Sequence, residues 1–326
     1  GEEDLSSEVS MFADGSFEVN KISKDNLALI KKKQDILTEL KTCELHSVAE
    51  EIAFSAVEMA EDGYDLYELL SMISDSLKEP FSKNEEGVTN KFAFATADKI
   101  SDAVDRAVFS KLFCEELKRK GSPISESEFL MQKNGGERFA YVKNLLADEA
   151  FDVFSQEFSE PRVLYAKSFK EAAAALLTDE CQYCILPLED RGGTRIYSVS
   201  ELIYREGLKI NSVTPVFGID GTADMKYALV SKHLTIPPTE VGDDRYLEIR
   251  LSAESSVSLS ELFSAASLLG VSLYRVNTNS FDTEGGLVTD YSVVFREDEG
   301  SFTELLVYLI LFSKEFTPVG IYKNLE

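Results

Sequence analysis

The segment at 189–195 places several reactive polar side chains directly after an apolar run. The acidic pair Glu189 and Asp190 follows YCILPL, which reads as a buried strand. A mixed set of cationic and hydroxyl side chains comes next: Arg191, Thr194 and Arg195. In α/β folds ligands bind at the carboxyl ends of strands, and carboxylate beside guanidinium suits a zwitterion such as an amino acid. A solvated loop or a helix cap remains the alternative for the two carboxylates.

Cysteine and histidine offer less chemistry. Cys181 and Cys184 form a C-x-x-C spacing, but Cys43 and Cys114 do not supply the second pair that a zinc site needs. The segment around the pair reads as an apolar strand, so buried structural thiols are expected. The chain holds two histidines, far apart in sequence. We therefore predict no metal site and no cofactor.

Composition limits the class of partner. Asp and Glu total 58 against 33 Lys and Arg, which gives a formal net charge of −25. Such a field repels phosphate backbones and anionic lipid surfaces, so neither nucleic acid nor membrane is an expected partner. The sequence contains no apolar stretch of transmembrane length, and four cysteines give no disulfide framework. These features favour the cytoplasm.

The front of the chain reads as helical. Residues 1–22 are acidic with weak periodicity, and a mobile tail is expected there. Apolar residues then recur at helical spacing between Leu27 and Leu40, between Val48 and Met59, and between Leu66 and Leu77, where Pro80 follows. A further helix is expected from about Ala97 to Lys120. We predict a helical domain at 23–136.

Predicted strands alternate with predicted helices after residue 136. Strands are expected at Arg138–Val142, Arg162–Tyr165, Tyr183–Pro187, Leu208–Val216 and Tyr227–Ser231. Helical patterns separate the first four. The alternation predicts an α/β lobe at 137–238 with a largely parallel sheet.

Residues 239–326 show the clearest architecture. The order is strand (Tyr246–Leu251), helix (Leu259–Leu269), strand (Val271–Asn277), strand (Leu287–Arg296), helix (Phe302–Phe312) and strand (Thr317–Tyr322). Asp282, Glu284, Gly285 and Gly286 supply the turn between the middle strands. This βαββαβ order predicts a ferredoxin-like unit.

The rear part of the chain resembles prephenate dehydratase followed by its regulatory ACT domain. In the α/β part the resemblance rests on Leu186-Pro187-Leu188-Glu189-Asp190, then Gly193, Val199 and Leu202. In the last unit it rests on Leu259, Gly270-Val271-Ser272-Leu273, Tyr291, Phe295 and Pro318-Val319-Gly320-Ile321-Tyr322. The resemblance implies part of the periplasmic-binding-protein-like dehydratase fold and an ACT domain. It also implies a link to phenylalanine biosynthesis, allosteric regulation, and a homodimer formed through the ACT domain.

The departures from that family concern its active site. The family's catalytic Thr-Arg-Phe falls on Met225-Lys226-Tyr227, and methionine can neither give nor take a proton. Lys226 keeps a cation but lacks the forked reach of arginine. If the chain is active, the catalytic candidates are Glu189, Thr194 and Lys226. The ligand-binding candidates are Lys143, Asn144, Asp190 and Arg191.

The ACT-like unit departs from the family as well. Where phenylalanine-binding members have a Gly-Ala-Leu turn, this chain has Val257-Ser258-Leu259, and the acidic-Ser-Arg-Pro run is replaced by Asn277-Thr278-Asn279-Ser280. Ser258, Arg275, Asn277 and Thr278 are the candidates for a regulatory site here.

Three functions remain open from the sequence. The first is a catalytically degenerate relative that binds a small amino acid or aromatic acid and serves as a sensor or regulator. The second is an active prephenate dehydratase with an atypical site, forming phenylpyruvate, water and carbon dioxide. The third is a non-enzymatic interaction module that dimerises through its ACT sheets.

Overall fold

The structure is a computed structural model, and it describes residues 19–78, 99–130, 137–222, 225–235, 245–313 and 315–325, with side chains from residue 24. The architecture is mixed α/β, as expected, with a helical N-terminal region and one large mixed sheet. Most of the predicted tail at 1–22 lies outside the described residues, and a helix already begins at Val19. Among the described residues, no helix combines the length and the apolar character needed to cross a bilayer.

The described residues of the N-terminal region form three α-helices and a short 3-10 helix at Glu126–Phe129. The α-helices are α1 (Val19–Glu61), α2 (Leu66–Lys78) and α3 (Ala103–Arg119). The first two predicted stripes belong to one helix of 43 residues, because no glycine or proline interrupts it. α3 begins with a reciprocal capping box between Asp102 and Asp105, which satisfies backbone N–H groups that the helix leaves unpaired.

The α/β lobe contains five strands. They are β1 (Arg138–Val142), β2 (Arg162–Ala166), β3 (Tyr183–Glu189), β4 (Lys209–Val216) and β5 (Met225–Ser231). Its helices are α4 (Leu145–Phe154), α5 (Phe169–Leu177) and α6 (Tyr197–Glu206). β1 runs parallel to β2 and β3, but β5 pairs antiparallel with both β3 and β4. The expectation of a largely parallel sheet is therefore wrong: β4 and β5 are successive strands that return as an antiparallel pair.

The last unit has the predicted βαββαβ order. It comprises β6 (Arg245–Ser252), α7 (Leu259–Leu268), β7 (Val271–Thr283), β8 (Gly286–Glu297), α8 (Phe302–Phe312) and β9 (Phe316–Asn324). β7 continues six residues beyond its predicted end, because its polar second half pairs with β8 as far as Thr283 and Gly286.

The two rear units share one sheet. Its strand order is β2-β1-β3-β5-β4-β9-β6-β8-β7, and the junction is the parallel pair β4–β9, with Ser212 beside Lys323 and Val213 beside Asn324. The strands approach closely at Gly320, where a Cβ atom would lie 2.2 Å from the carbonyl oxygen of Ile210. Glycine is required there because no side chain fits.

In the described part of the chain, the buried core of the N-terminal helices is shared with the last unit and not with the lobe that follows them in sequence. Buried residues of α1, α2 and α3 form one apolar core with those of α7 and α8. Within it, the hydroxyl of Ser74 donates to the carbonyl oxygen of Leu311 at 2.6 Å. The predicted divisions at 137 and 239 stay predictions. The sheet runs across the second of them, and this core joins the helical region to the last unit.

Candidate functional site

A cavity of about 220 Å³ lies beside the β4–β9 junction, between the lobe and the last unit. Its lining comes from both: Leu188, Glu189, Gly193, Arg195, Val213 and Lys226 from the lobe, and Tyr246, Tyr274, Arg275, Val294, Tyr322 and Asn324 from the βαββαβ unit. Three residues predicted for a site from sequence meet here: Glu189, Lys226 and Arg275.

The loop after β3 brings Glu189 and Arg195 together. Asp190 organises this loop: its side-chain oxygen accepts from the backbone N–H groups of Gly192 (3.0 Å) and Thr194 (2.9 Å). The chain folds back so that Glu189 and Arg195 form an isolated antiparallel bridge. An Asp side chain that accepts a hydrogen bond from the backbone N–H of the second residue after it is typical of tight turns. The exposed Asp190 thus shapes the loop that carries the site.

Glu189 sits between two arginines. One carboxylate oxygen lies 2.6 Å from a terminal nitrogen of Arg275 and 3.5 Å from Nε of Arg195. The other terminal nitrogen of Arg275 donates to the carbonyl oxygen of Gly193. The arginine from β7 therefore holds both the strand end and the loop behind it.

Arg195 extends the network into the protein. It binds Glu248 with both terminal nitrogens, at 2.6 and 3.3 Å, and the Tyr322 hydroxyl donates to Glu248 at 2.9 Å. Burial lowers the pKa of Arg195, but attraction by Glu248 and its other partners outweighs this, so the guanidinium stays charged. Burial, and then the charge of Glu248, raise the pKa of Tyr322 well above its ordinary value, so its hydroxyl remains a donor. The result is a fixed row of alternating charges that begins in the cavity wall with Arg275, Glu189 and Arg195 and ends at Glu248.

Lys226 supplies a further cation. It is the neighbour of Glu189 across the β3–β5 pair and is half-buried. Within the described part of the chain, no carboxylate forms a salt bridge with its ammonium group, whereas Arg195 and Arg275 are both paired. Lys226 is therefore the lining cation that is available to an incoming anion.

Aromatic rings and aliphatic side chains form the remaining wall. The rings of Tyr246 and Tyr274 lie 4.9 Å apart, and those of Tyr246 and Tyr322 stack at 5.9 Å. Leu188, Val213 and Val294 add aliphatic surface. Sequence reasoning missed these residues, because apolar and aromatic positions in strands are normally core positions and carry no separate signal.

The other predicted lobe residues lie outside the cavity lining. Thr194 and Arg191 are exposed on the loop. Lys143 pairs with Asp148 at 3.1 Å at the end of β1. Asn144 caps α4 by accepting from the backbone N–H of Ala147 at 2.9 Å. Their assignment as ligand-binding or catalytic residues remains a prediction.

Of the four regulatory candidates, the structure brings Arg275 alone to the cavity. Ser258 caps α7 by accepting from the backbone N–H of Glu261 at 3.1 Å. Asn277 and Thr278 lie farther along β7, opposite Ser292 and Tyr291. Their part in a regulatory site is likewise still a prediction.

The C-x-x-C cysteines are buried. Burial raises the pKa of Cys181 to about 11 and also raises that of Cys184. Neither thiol is poised for redox chemistry, which requires an accessible thiolate. No cluster of three or more potential metal ligands occurs among the residues that the structure describes.

Comparison with known proteins gives no family assignment. No family model and no curated protein matches the sequence. Similar solved structures include a prephenate dehydratase from Streptococcus mutans, with 12% identity and a TM-score of 0.45 over 58% of this chain and 100% of that chain. GqqA, described as a novel type of quorum quenching acylase, has 16% identity and a TM-score of 0.42 over 58% and 96%. Prephenate dehydratase from Arthrobacter aurescens, solved in complex with L-Phe, has 11% identity and a TM-score of 0.42 over 57% and 90%. Likenesses this distant do not assign a function to this chain.

Proposed function

We propose that this chain binds one small amino acid or aromatic acid in the 220 Å³ cavity, as a catalytically degenerate, prephenate dehydratase-like sensor or regulator linked to phenylalanine metabolism. The observation that supports this most is the joint origin of the lining: an ammonium group with no salt bridge to a carboxylate among the described residues, a carboxylate and a tyrosine wall converge from two units. Ligand pockets commonly combine apolar walls with a few convergent polar groups, and they occur at the boundaries between units.

The chemistry of the lining defines a pose. Lys226 receives the carboxylate of the ligand, because its ammonium group forms no salt bridge with a carboxylate of the described residues. Glu189 receives an ammonium group in competition with Arg275, which lies at 2.6 Å. The side chain of the ligand packs against Tyr246 and Tyr274. The volume is below the roughly 300–1,000 Å³ of drug-sized pockets, which restricts the ligand to the size of a single amino acid.

Binding without catalysis fits the geometry of the three catalytic candidates. Thr194 is exposed and does not line the cavity. One oxygen of the Glu189 carboxylate is engaged by Arg275, with Arg195 at 3.5 Å, so this side chain acts as an anchor in the arrangement described. Lys226 lacks the bidentate geometry of an arginine.

An active dehydratase with an atypical site is the second candidate. The observation that favours it is that Glu189 and Lys226 are cross-strand neighbours and line the same cavity. In that case Lys226 anchors a carboxylate of prephenate and Glu189 assists departure of its hydroxyl group. The predicted homodimer through the ACT-like sheet is compatible with either function and stays a prediction.

The test is isothermal titration of the purified chain with each of the twenty amino acids, prephenate and phenylpyruvate. We expect an aromatic amino acid to bind with a dissociation constant below 1 mM, and Lys226→Met to weaken it at least tenfold. Lys232→Met is the matched control, because it removes a half-buried ammonium group that does not line the cavity, and it should bind as the parent does. No binding at millimolar concentration would refute the proposal.

A parallel assay separates the two functions. Phenylpyruvate formation from prephenate is followed with and without phenylalanine. If the parent forms phenylpyruvate faster than the spontaneous reaction and Lys226→Met does not, the chain is an enzyme and the sensor proposal is wrong. Absence of turnover together with ligand binding is the result that the sensor requires.

A further inference from the structure

The first half of α1 extends away from the protein core. Every side chain from residue 24 to residue 37 is exposed, and the buried core of the helix begins at Leu45. Among the described residues, the first ion pair that joins α1 to another helix is the one between Lys41 and Asp105, at 2.9 Å. An isolated helix of this length is only marginally stable in water, so the exposed half lacks the packing that normally holds a helix together.

This exposed half carries an apolar stripe. Leu29, Ile36 and Leu40 recur at intervals of seven and four residues, and they are 64%, 58% and 54% exposed. Ile30 (53%) and Leu37 (38%) widen the stripe on one side. The interval of seven is the heptad repeat that brings apolar residues onto one face of a helix for packing against another helix.

The charge of this segment favours a second copy of the same chain. Residues 24–44 contain five lysines and four acidic residues, for a net charge of +1, whereas the whole chain carries −25. Two copies that associate through this segment therefore repel each other less than two copies that associate through the acidic remainder of their surfaces.

The order of the charges favours antiparallel pairing. With the centre of the pair near residue 35, Leu29 of one copy lies level with Leu40 of the other. Lys31 then lies within one residue of the level of Glu39. In parallel pairing, the run Lys31-Lys32-Lys33 would face itself, and like charges at matching positions destabilise a helix pair.

We propose that the face of α1 formed by Leu29, Ile30, Ile36, Leu37 and Leu40 is a self-association surface, on which the helices of two copies pair antiparallel. The paired stretch at 26–43 spans about 27 Å at 1.5 Å per residue. An interface of this length is at the small end of specific protein contacts, so association is reversible and depends on concentration. This surface lies on the N-terminal helix, far in sequence from the ACT-like sheet.

The first measurement is sedimentation velocity between about 1 and 200 μM. We expect the molecular mass of the parent chain at the highest concentration to be twice its mass at the lowest concentration. The double variant Ile36→Glu/Leu40→Glu should lose that step. Ala28→Glu/Gln34→Glu is the matched control, because it adds the same charge at exposed positions off the stripe of the same helix, and it should behave as the parent does. Equal behaviour of both variants would overturn the proposal.

Disulfide trapping tests the orientation. In the antiparallel pair residue 26 of one copy lies level with Cys43 of the other, whereas the two Cys43 residues are about 25 Å apart. Under mild oxidation, Asn26→Cys should give a covalent dimer, and neither the parent nor Asn26→Cys/Cys43→Ser should do so. A dimer linked through Cys43 in the parent would show parallel pairing, and no dimer in Asn26→Cys would show no pairing. Either result overturns the proposal.

Discussion

Replacing Arg195 by methionine should destabilise the protein by about 3–5 kcal/mol, because the substitution breaks a buried ion pair and leaves its acidic partner without compensation. Glu248 is 3% exposed and accepts from both terminal nitrogens of Arg195, at 2.6 and 3.3 Å. After the substitution it keeps the Tyr322 hydroxyl, at 2.9 Å. Glu189 contributes less to the loss, because Arg275 still pairs with it at 2.6 Å.

The assay is urea unfolding followed by far-ultraviolet circular dichroism, with Lys232→Met as the control. Lys232 also pairs with a carboxylate, Asp179, at 2.8 Å, but that carboxylate is 74% exposed. An exposed pair contributes no more than about 1 kcal/mol. The double variant Arg195→Met/Glu248→Leu should lose less than the sum of its single variants, since no buried charge is left without a partner. A loss of under about 1 kcal/mol for Arg195→Met, or equal losses for Arg195→Met and Lys232→Met, would refute the reasoning.

Two further predictions concern the junction of the units. Burial, and then Arg250, lower the pKa of Lys209 from 10.5 to about 8. The unfolded chain therefore binds more protons between those values, and stability should rise with pH from about 8 to 10.5, by about 1–2 kcal/mol once partial exposure is allowed for. The unfolding free energy of Lys209→Met should lack this rise, and an equal rise in parent and variant would contradict it. Gly320→Ala should lower the free energy of unfolding by about 2–3 kcal/mol in the same urea assay, because its methyl group would meet the carbonyl oxygen of Ile210. A change of less than about 0.5 kcal/mol would contradict this and show that the strands separate at little cost.

Local patterns predicted the elements of the last unit well. The bounds of the helix Phe302–Phe312 agree with the structure. The turn between β7 and β8 lies within the predicted segment but is confined to Glu284 and Gly285, because Asp282 and Gly286 pair within the strands. Such elements depend on residues close in sequence. The pairing of β4 with β9 could not be predicted, because it joins Val213 to Asn324 and depends on the tertiary packing of two separate units.

The charged residues of the candidate site were predicted from the sequence, whereas its aromatic residues were not. Glu189 stood out as a carboxylate at the end of a predicted strand, whereas Lys226 and Arg275 were chosen through the resemblance to prephenate dehydratase and its ACT domain. Tyr246 and Tyr322 did not stand out, because aromatic residues in strands are common. The function that sequence suggested for Asp190 and Ser258 was contact with a ligand, whereas in the structure each binds backbone N–H groups of its own turn or helix.

The position of β9 in the middle of the sheet has a consequence for the order of folding during synthesis. β4 lacks its partner on one side until Lys323 and Asn324 have left the ribosome. Ser74 likewise waits for Leu311, 237 residues later in the chain. Contacts this distant in sequence form slowly, because the intervening chain must first be ordered. One edge of β4 and the apolar faces of the N-terminal helices therefore stay exposed until the last unit has been synthesised, and such surfaces make a folding intermediate prone to aggregation.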